Sequence, residues 1–147
     1  MVIDHIGIVV KSLSSGIGTW SRFFGYQQAT EIVTNTRQKV NVVFMEKQGS
    51  LPVKLLEPTD PSSPVFPLSR RGGGLHHICF REKSLPKGLI ALVEKGARVL
   101  VPPEPGEAFD NENIAFVYVD NGLNIELIDT EKRAGRILDE KSNPDNK

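Results

Sequence analysis

Apolar side chains recur with helical spacing in two segments of the chain, one in each half. The first segment carries Leu13, Ile17, Trp20 and Phe24, and the second carries Leu85, Leu89 and Leu92. Residues three or four positions apart share one face of a helix, so the pattern predicts two amphipathic helices. Ser12 and Ser84 stand at the expected N-caps, and Gly25 and Gly96 stand where the helices should end.

The two halves also share a sequence repeat with an offset of 72 positions. DHIGIVVKSL (residues 4–13) lies over HHICFREKSL (residues 76–85), and both end in Lys-Ser-Leu. With the same offset, NVVFMEKQGSLPVKLLEP (41–58) lies without a gap over NIAFVYVDNGLNIELIDT (113–130). Each longer stretch is an apolar run, a turn signal and a second apolar run, which is typical of a β-hairpin.

The repeat therefore predicts an α+β fold of two βαβββ units, residues 1–58 and 74–130. The remaining strand of each unit is predicted at Tyr26–Val33 and at Ala97–Val101. A four-stranded mixed sheet with one helix cannot bury both of its faces. We therefore expect the two units to form one compact domain with an incomplete, barrel-like mixed sheet, either within one chain or by exchange in a dimer.

Three further segments connect or follow these units. Residues 59–73 are rich in Pro, Ser, Arg and Gly, which indicates a linker. The connection Pro102–Asn113 is long for a link between strands and could cover a site. The tail, residues 131–147, is charged, and in it we expect a short helix at Glu131–Asp139 and disorder over Lys141–Lys147.

The composition is that of an ordinary globular protein. Of the 147 residues, 39% are apolar and 24% are charged, and the formal net charge is zero, so the total charge does not indicate a nucleic-acid or membrane-surface partner. No apolar run approaches the roughly 20 residues that span a bilayer, and no secretory signal is visible. The single cysteine, Cys79, excludes an internal disulfide, and we expect a cytoplasmic protein.

Four polar residues occupy equivalent positions of the two units, within strands that are otherwise apolar. His5 and His77 form one equivalent pair, and Lys54 and Glu126 form the other. A lone buried charge costs several kcal/mol, so Lys54 and Glu126 need a partner or a metal. Two imidazoles and a carboxylate suit Mn, Fe(II), Co, Ni or Zn and leave positions open for a substrate oxygen. The alternative is that each histidine is a hydrogen-bonded core residue.

The motifs DHIGIVV, GGGLHHICF and NGLNIELID resemble the vicinal-oxygen-chelate superfamily over Val2–Thr130. Its members include glyoxalase I, extradiol dioxygenases, fosfomycin and bleomycin resistance proteins, and methylmalonyl-CoA epimerases, to which GLHHI with the final IEL is most similar. The resemblance implies a glyoxalase-like fold and His5, His77 and Glu126 as metal ligands. His77 is chosen over His76 because it aligns with His5.

The resemblance also implies where this chain departs from the family, because the fourth ligand, a Gln or Glu, falls on Lys54. A protonated lysine cannot donate to a metal. In one reading three residues hold the metal and Lys54 contacts the substrate. In a second, the ammonium of Lys54 replaces the metal and pairs with Glu126. In a third, burial and a nearby cation lower the pKa of Lys54, which then acts as a base or a ligand.

A second departure concerns the base expected on the middle strand of the first unit. An epimerase needs a base on each face of the reacting carbon and a group that stabilises the enolate. The position falls near Val42 or Phe44, which are apolar, while Glu46 has the right strand parity but lies toward the turn. Glu126 is one candidate base, and Lys54 is a speculative second.

The resulting hypothesis is a small metal-assisted isomerase or lyase of the glyoxalase or methylmalonyl-CoA epimerase type, with Glu126 and Lys54 as catalytic residues. Its implied partners are a small-molecule substrate, for which an acyl-CoA is one candidate, and a second copy in a homodimer. A metal-free binding or resistance protein with a Lys54–Glu126 ion pair is the alternative, and an Fe(II) dioxygenase is a third. Near the site, His76 is interpreted as a structural or rim residue and Cys79 as a small buried residue.

Overall fold

The computed structural model describes residues 1–138. Its three helices are α1 to α3 in chain order: Leu13–Phe24, Phe66–Arg70 and Leu85–Glu94. The strands of the first half are β1 to β5 in chain order: Val2–Val9, Gln27–Gln28, Val33–Asn35, Val40–Glu46 and Val53–Pro58. Those of the second half are β6 to β9: Gly74–Arg81, Arg98–Gly106, Glu112–Val119 and Leu123–Ile128. A single 3₁₀ turn, Glu107–Phe109, precedes β8.

The strands form one continuous, open sheet in the order β2-β4-β5-β1-β6-β9-β8-β7, and β3 also pairs with β4. Within each half the first strand is parallel to the last, since β1 pairs with β5 and β6 pairs with β9. The halves join where β1 and β6 run antiparallel. The predicted α+β fold with an incomplete, barrel-like sheet is confirmed, and the two first strands lie side by side at its centre.

Local signals account for both long helices. The Ser15 backbone N–H donates to Ser12 Oγ over 3.2 Å at the start of α1, and the same cap recurs at Ser84 of α3. Gly25 ends α1 with φ 72°, a left-handed conformation that glycine adopts without strain. The face of the sheet against the helices holds apolar clusters around Leu13 and Leu85, and the opposite face holds the largest core cluster, which includes Phe44 and Phe109.

Two strand predictions were wrong in their bounds. The single strand predicted at Tyr26–Val33 is two short strands, β2 and β3, because the chain between them leaves the ladder. There the Thr30 hydroxyl, not a backbone carbonyl, accepts from the Phe44 N–H over 3.1 Å. The strand predicted at Ala97–Val101 extends as β7 to Gly106 through three prolines. An edge strand tolerates prolines, and β7 is at the edge of the sheet. The connection at Pro102–Asn113 is therefore much shorter than predicted.

The linker and the tail also differ from expectation. The linker contains the short helix α2. The helix expected over Glu131–Asp139 is absent from residues 131–138, and Asp139 and Lys141–Lys147 lie outside the described residues. Residues 131–138, here called the C-terminal strap, instead bond to both halves of the chain. The Glu31 N–H donates to the Gly135 carbonyl over 2.7 Å, and the Ala134 N–H donates to the Ala108 carbonyl over 2.9 Å.

No helix within residues 1–138 combines the length and the apolar character needed to cross a membrane.

Candidate metal centre

The four polar residues singled out in the sequence meet in the middle of the sheet. Lys54, His5, His77 and Glu126 stand on β5, β1, β6 and β9, which are consecutive neighbours in the strand order. Their side chains occupy one face because side chains alternate along a strand. All four are buried, with between 0% and 3% of each residue exposed. The structure therefore places charged and ionisable groups together inside an apolar core.

Three atoms of this cluster form a compact triangle. His5 Nε2 lies 3.0 Å from Glu126 Oε1, and His77 Nε2 lies 3.4 Å from the same oxygen and 3.3 Å from His5 Nε2. Two ligands held at about 2.1 Å by one metal lie roughly 3.0–3.4 Å apart, depending on the coordination angle. Glu126 Oε1 accepts no hydrogen bond from any described residue, although it is buried. The triangle therefore has the dimensions of one face of a metal site.

The protonation states also suit a cation. Burial lowers the pKa of His77 to about 3, although the Glu126 carboxylate opposes this shift. Burial raises the pKa of Glu126, but the Lys54 ammonium and the two imidazoles outweigh burial and hold that pKa well below its usual range. A neutral imidazole and an ionised carboxylate are the forms that bind metals. His5, His77 and Glu126 fit a divalent metal by geometry and by charge.

Comparison with known proteins identifies the family of the chain. The sequence profile of the Glyoxalase/Bleomycin resistance protein/Dioxygenase superfamily matches residues 4–118. The chain belongs to this superfamily. The matched range contains both histidines and ends before Glu126.

Three known proteins are similar to this chain over most of its length. The Bacillus subtilis protein YqjC is 34% identical over 132 residues, which are 85% of this chain and 89% of that protein. An ethylmalonyl-CoA/methylmalonyl-CoA epimerase of Cereibacter sphaeroides is 26% identical over 85% of this chain and 95% of its own length. A variant of Streptomyces coelicolor methylmalonyl-CoA epimerase, in complex with 2-nitronate-propionyl-CoA, superposes with a TM-score of 0.78 at 26% identity, covering 89% of this chain and 98% of that one.

Lys54 lies beside the triangle. Its Nζ is 3.4 Å from Glu126 Oε2. Both histidines approach the other carboxylate oxygen, Oε1. The ammonium also lies 4.9 Å from the centre of the Phe109 ring and 5.9 Å from that of Phe44. Since Lys54 pairs with one oxygen and the histidines with the other, the triangle can hold a cation while the ion pair stays intact.

Glu46, considered from the sequence as a second base, does not belong to the triangle. It makes a two-bond ion pair with Arg136 of the strap, at 2.7 and 3.0 Å. Both residues line a cavity of about 590 Å³, together with Ser50 and Arg133. Glu46 therefore lies in the wall of this cavity and is not one of the residues that form the triangle.

Arg133 of the strap lies between that cavity and the residues around the triangle. The Arg133 guanidinium forms a short ion pair with Asp4. It also lies over two rings, 4.5 Å from the centre of Phe44 and 5.1 Å from that of Phe109. The side chain of Arg133 is only 9% exposed. Arg133 therefore both lines the outer cavity and seals the apolar wall around the triangle.

Sequence reasoning missed one residue on which the site depends, Gly7. A Cβ at this position would lie 2.1–2.5 Å from three ring atoms of His77, so the imidazole occupies the space of the absent side chain. Gly7 and His77 are register partners across β1 and β6. A glycine inside a strand often marks such a close approach, and this was the available signal.

Cys79 is fully buried and belongs to the core cluster. It is the register partner of His5, and its sulfur lies with side-chain atoms of Asp4 and His5 in a second close group. Burial raises the pKa of Cys79 well above its usual value, so the side chain is a neutral thiol. This agrees with the interpretation of Cys79 as a small buried core residue.

Proposed function

We propose that this protein is a metal-assisted isomerase of the glyoxalase and methylmalonyl-CoA epimerase kind, acting on a small acyl substrate. The observation that carries the proposal is the triangle of His5 Nε2, His77 Nε2 and Glu126 Oε1. The similarity to epimerases that are named for acyl-CoA substrates supports the reaction class. A divalent metal bound at the triangle would supply a Lewis acid that stabilises negative charge on a substrate oxygen.

The residues around the triangle supply the other requirements of proton transfer. The imidazoles and Glu126 Oε1 would hold the metal, while Oε2 of the same carboxylate faces Lys54 Nζ at 3.4 Å. Oε2 is the atom that takes a proton from the carbon next to a carbonyl, and the Lys54 ammonium stabilises the ionised carboxylate before transfer. The rings of Phe44 and Phe109 exclude water, which strengthens these charge interactions.

The geometry favours proton transfer at one face of the substrate. Two bases on opposite faces of one carbon, each within about 3–3.5 Å of it, must stand about 6 Å apart. Lys54 Nζ and Glu126 Oε2 are 3.4 Å apart, and Glu46 is paired with Arg136. We therefore propose a one-base proton shift instead of a two-base inversion, in which Glu126 removes the proton from one carbon and returns it to the adjacent carbon.

Deuterium exchange tests this proposal. Metal-loaded protein is incubated in D₂O with methylmalonyl-CoA and with the hemithioacetal substrate of glyoxalases, and proton loss and configuration are followed by NMR and chiral chromatography. We expect isomerisation of the hemithioacetal and, with methylmalonyl-CoA, proton exchange without inversion. Both should be absent in Glu126→Gln and retained in the control Glu57→Gln, which changes a carboxylate on the same sheet outside the triangle. Inversion as fast as exchange would contradict the one-base mechanism, and no exchange with either substrate would contradict the proposed reaction.

The second candidate is a metal-free binding protein of the resistance type, and the buried Lys54–Glu126 ion pair is the observation that favours it. In this case the ammonium replaces the metal charge. Elemental analysis separates the two candidates, because only the enzyme proposal requires a transition metal at the triangle.

Two further proposals concern the setting of the reaction. We propose that the protein works in the cytoplasm, where the one free thiol, Cys79, stays reduced. We also propose that it is a homodimer, which size-exclusion chromatography with light scattering tests directly. A monomer at micromolar concentration would contradict the second proposal.

A further inference from the structure

The two histidines of the triangle share a backbone irregularity. Along β1, Ile3 pairs with Phe80 and His5 pairs with Cys79, so Asp4 is an extra residue without a partner on β6. Along β6, Gly7 pairs with His77 and Ile8 pairs with Leu75, so His76 is the extra residue. Each histidine is thus preceded by a β-bulge, a device that redirects a side chain.

The bulges bring neighbouring side chains together although consecutive strand residues ordinarily point to opposite faces. Asp4 Oδ2 lies 2.7 Å from His5 Nδ1. His76 Nδ1 lies 2.8 Å from His77 Nδ1. In both cases the contact is made to the nitrogen that faces away from the triangle, so the two halves of the repeat place a hydrogen-bonding partner at the same atom of each imidazole.

We propose that Asp4 and His76 are paired positioning residues, each accepting a hydrogen bond from Nδ1–H of the following histidine so that Nε2 presents its lone pair to the triangle. A neutral imidazole carries one proton, and a partner on one nitrogen determines which nitrogen is free. The proposal rests on the proposed metal site for its purpose, but the hydrogen bonds themselves do not depend on a metal.

The surroundings hold both positioning residues in place. Asp4 is fixed by its ion pair with Arg133, and Arg81 Nε lies 3.9 Å from its other oxygen. His76 is partly buried and stands edge-on to Phe116, with 6.3 Å between ring centres. The first histidine is therefore oriented by a charged group that the C-terminal strap locks, and the second is oriented by a neutral ring.

Substitutions at His76 test the proposal with a matched pair. His76→Phe keeps the ring and removes the acceptor, whereas His76→Asn keeps an acceptor oxygen near the position of Nδ1. Co²⁺ affinity is measured by titration, and the His77 tautomer is read in the metal-free, ¹⁵N-labelled protein from the ring nitrogen shifts, above the ordinary pKa of histidine. Thermal unfolding of each metal-free variant shows whether the fold is intact.

We expect His76→Phe to weaken Co²⁺ binding about 10- to 100-fold, the usual effect of losing the partner of a ligating histidine, while His76→Asn stays within a few-fold of wild type. We also expect the Nδ1–H tautomer of His77 in wild type and His76→Asn, and its loss in His76→Phe. A Nε2–H tautomer in wild type, or a tautomer unchanged by His76→Phe, would overturn the proposal.

The two readouts separate this inference from the proposed function. If wild type binds no Co²⁺ yet shows the His76-dependent Nδ1–H tautomer, the metal proposal fails and the positioning role stands. If wild type binds Co²⁺ but His76→Phe changes neither affinity nor tautomer, the metal site stands and the positioning role is wrong.

Discussion

At the scale of single residues, the site depends on space as much as on charge. The His77 imidazole occupies the volume where any other residue at position 7 would carry its Cβ. His77 is fully buried, and protein interiors have little free volume in which its ring could move. The small residue at Gly7 is therefore as necessary to the triangle as the ligand atoms.

Gly7→Ala is expected to destabilise the fold by about 1–3 kcal/mol, the usual cost of overpacking a core, and to weaken metal binding at least about tenfold by displacing the His77 ring. The matched control is Gly18→Ala in α1, where an added Cβ meets nothing within 4 Å, and which should stabilise the helix by about 1 kcal/mol. Urea unfolding and Co²⁺ titration measure both effects. A Gly7→Ala protein with wild-type Co²⁺ affinity would show that the ring position is not critical.

At the scale of elements, the helices and hairpins could be predicted because their signals are local in sequence. Features that depend on contacts between distant segments could not. The helices and hairpins followed from caps such as Ser12, from turn residues and from apolar spacing. The β-bulges at Asp4 and His76 are set by the pairing of β1 with β6, which a spacing pattern does not show. The proline-containing extension of β7 depends on its place at the sheet edge. The strap lacks helix because both halves of the chain offer it backbone partners.

The strap makes its own testable contribution through Arg133. Arg133→Met is expected to cost about 2–4 kcal/mol, because it leaves the Asp4 carboxylate buried without its closest cation. The neighbouring Lys132→Met removes only an exposed pair with Glu112, and it should cost no more than about 1 kcal/mol. Urea denaturation of the two variants provides the comparison. Equal effects would mean that Arg133 is no more than a surface charge.

At the scale of the whole molecule, the repeat explains why four polar residues meet. The equivalent strands β1 and β6 lie side by side at the centre of the sheet, so His5 meets His77. The strands β5 and β9 flank this pair on either side, and the long Lys54 side chain reaches Glu126 across it. The sequence was sufficient to predict this group, because the offset of 72 identified equivalent positions. It was not sufficient to predict which carboxylate oxygen Lys54 contacts, since that depends on rotamers in the packed core.

The positive charge of Lys54 is expected to oppose the binding of a metal at the triangle. Lys54→Gln removes a positive charge beside Glu126, and we expect the Kd for Zn²⁺ or Co²⁺ to fall about tenfold or more, since unit charges 4–5 Å apart near a protein surface interact by roughly 3–4 kcal/mol. Lys39→Gln, which alters an exposed lysine bonded to Ser62, should leave the Kd unchanged. Calorimetric titration measures both. Weaker binding in Lys54→Gln would instead make Lys54 part of the binding site.

The most direct test of the account is the metal content of the purified protein after mild dialysis, measured by elemental analysis for wild type and His77→Ala. We expect about one transition metal per chain in wild type and its loss in His77→Ala, because His77 supplies one corner of the triangle. No bound metal in wild type, even after reloading with Mn, Co, Ni or Zn, would contradict the metal centre. The buried cluster would then be an ion-paired pocket whose ligands remain to be sought by binding screens.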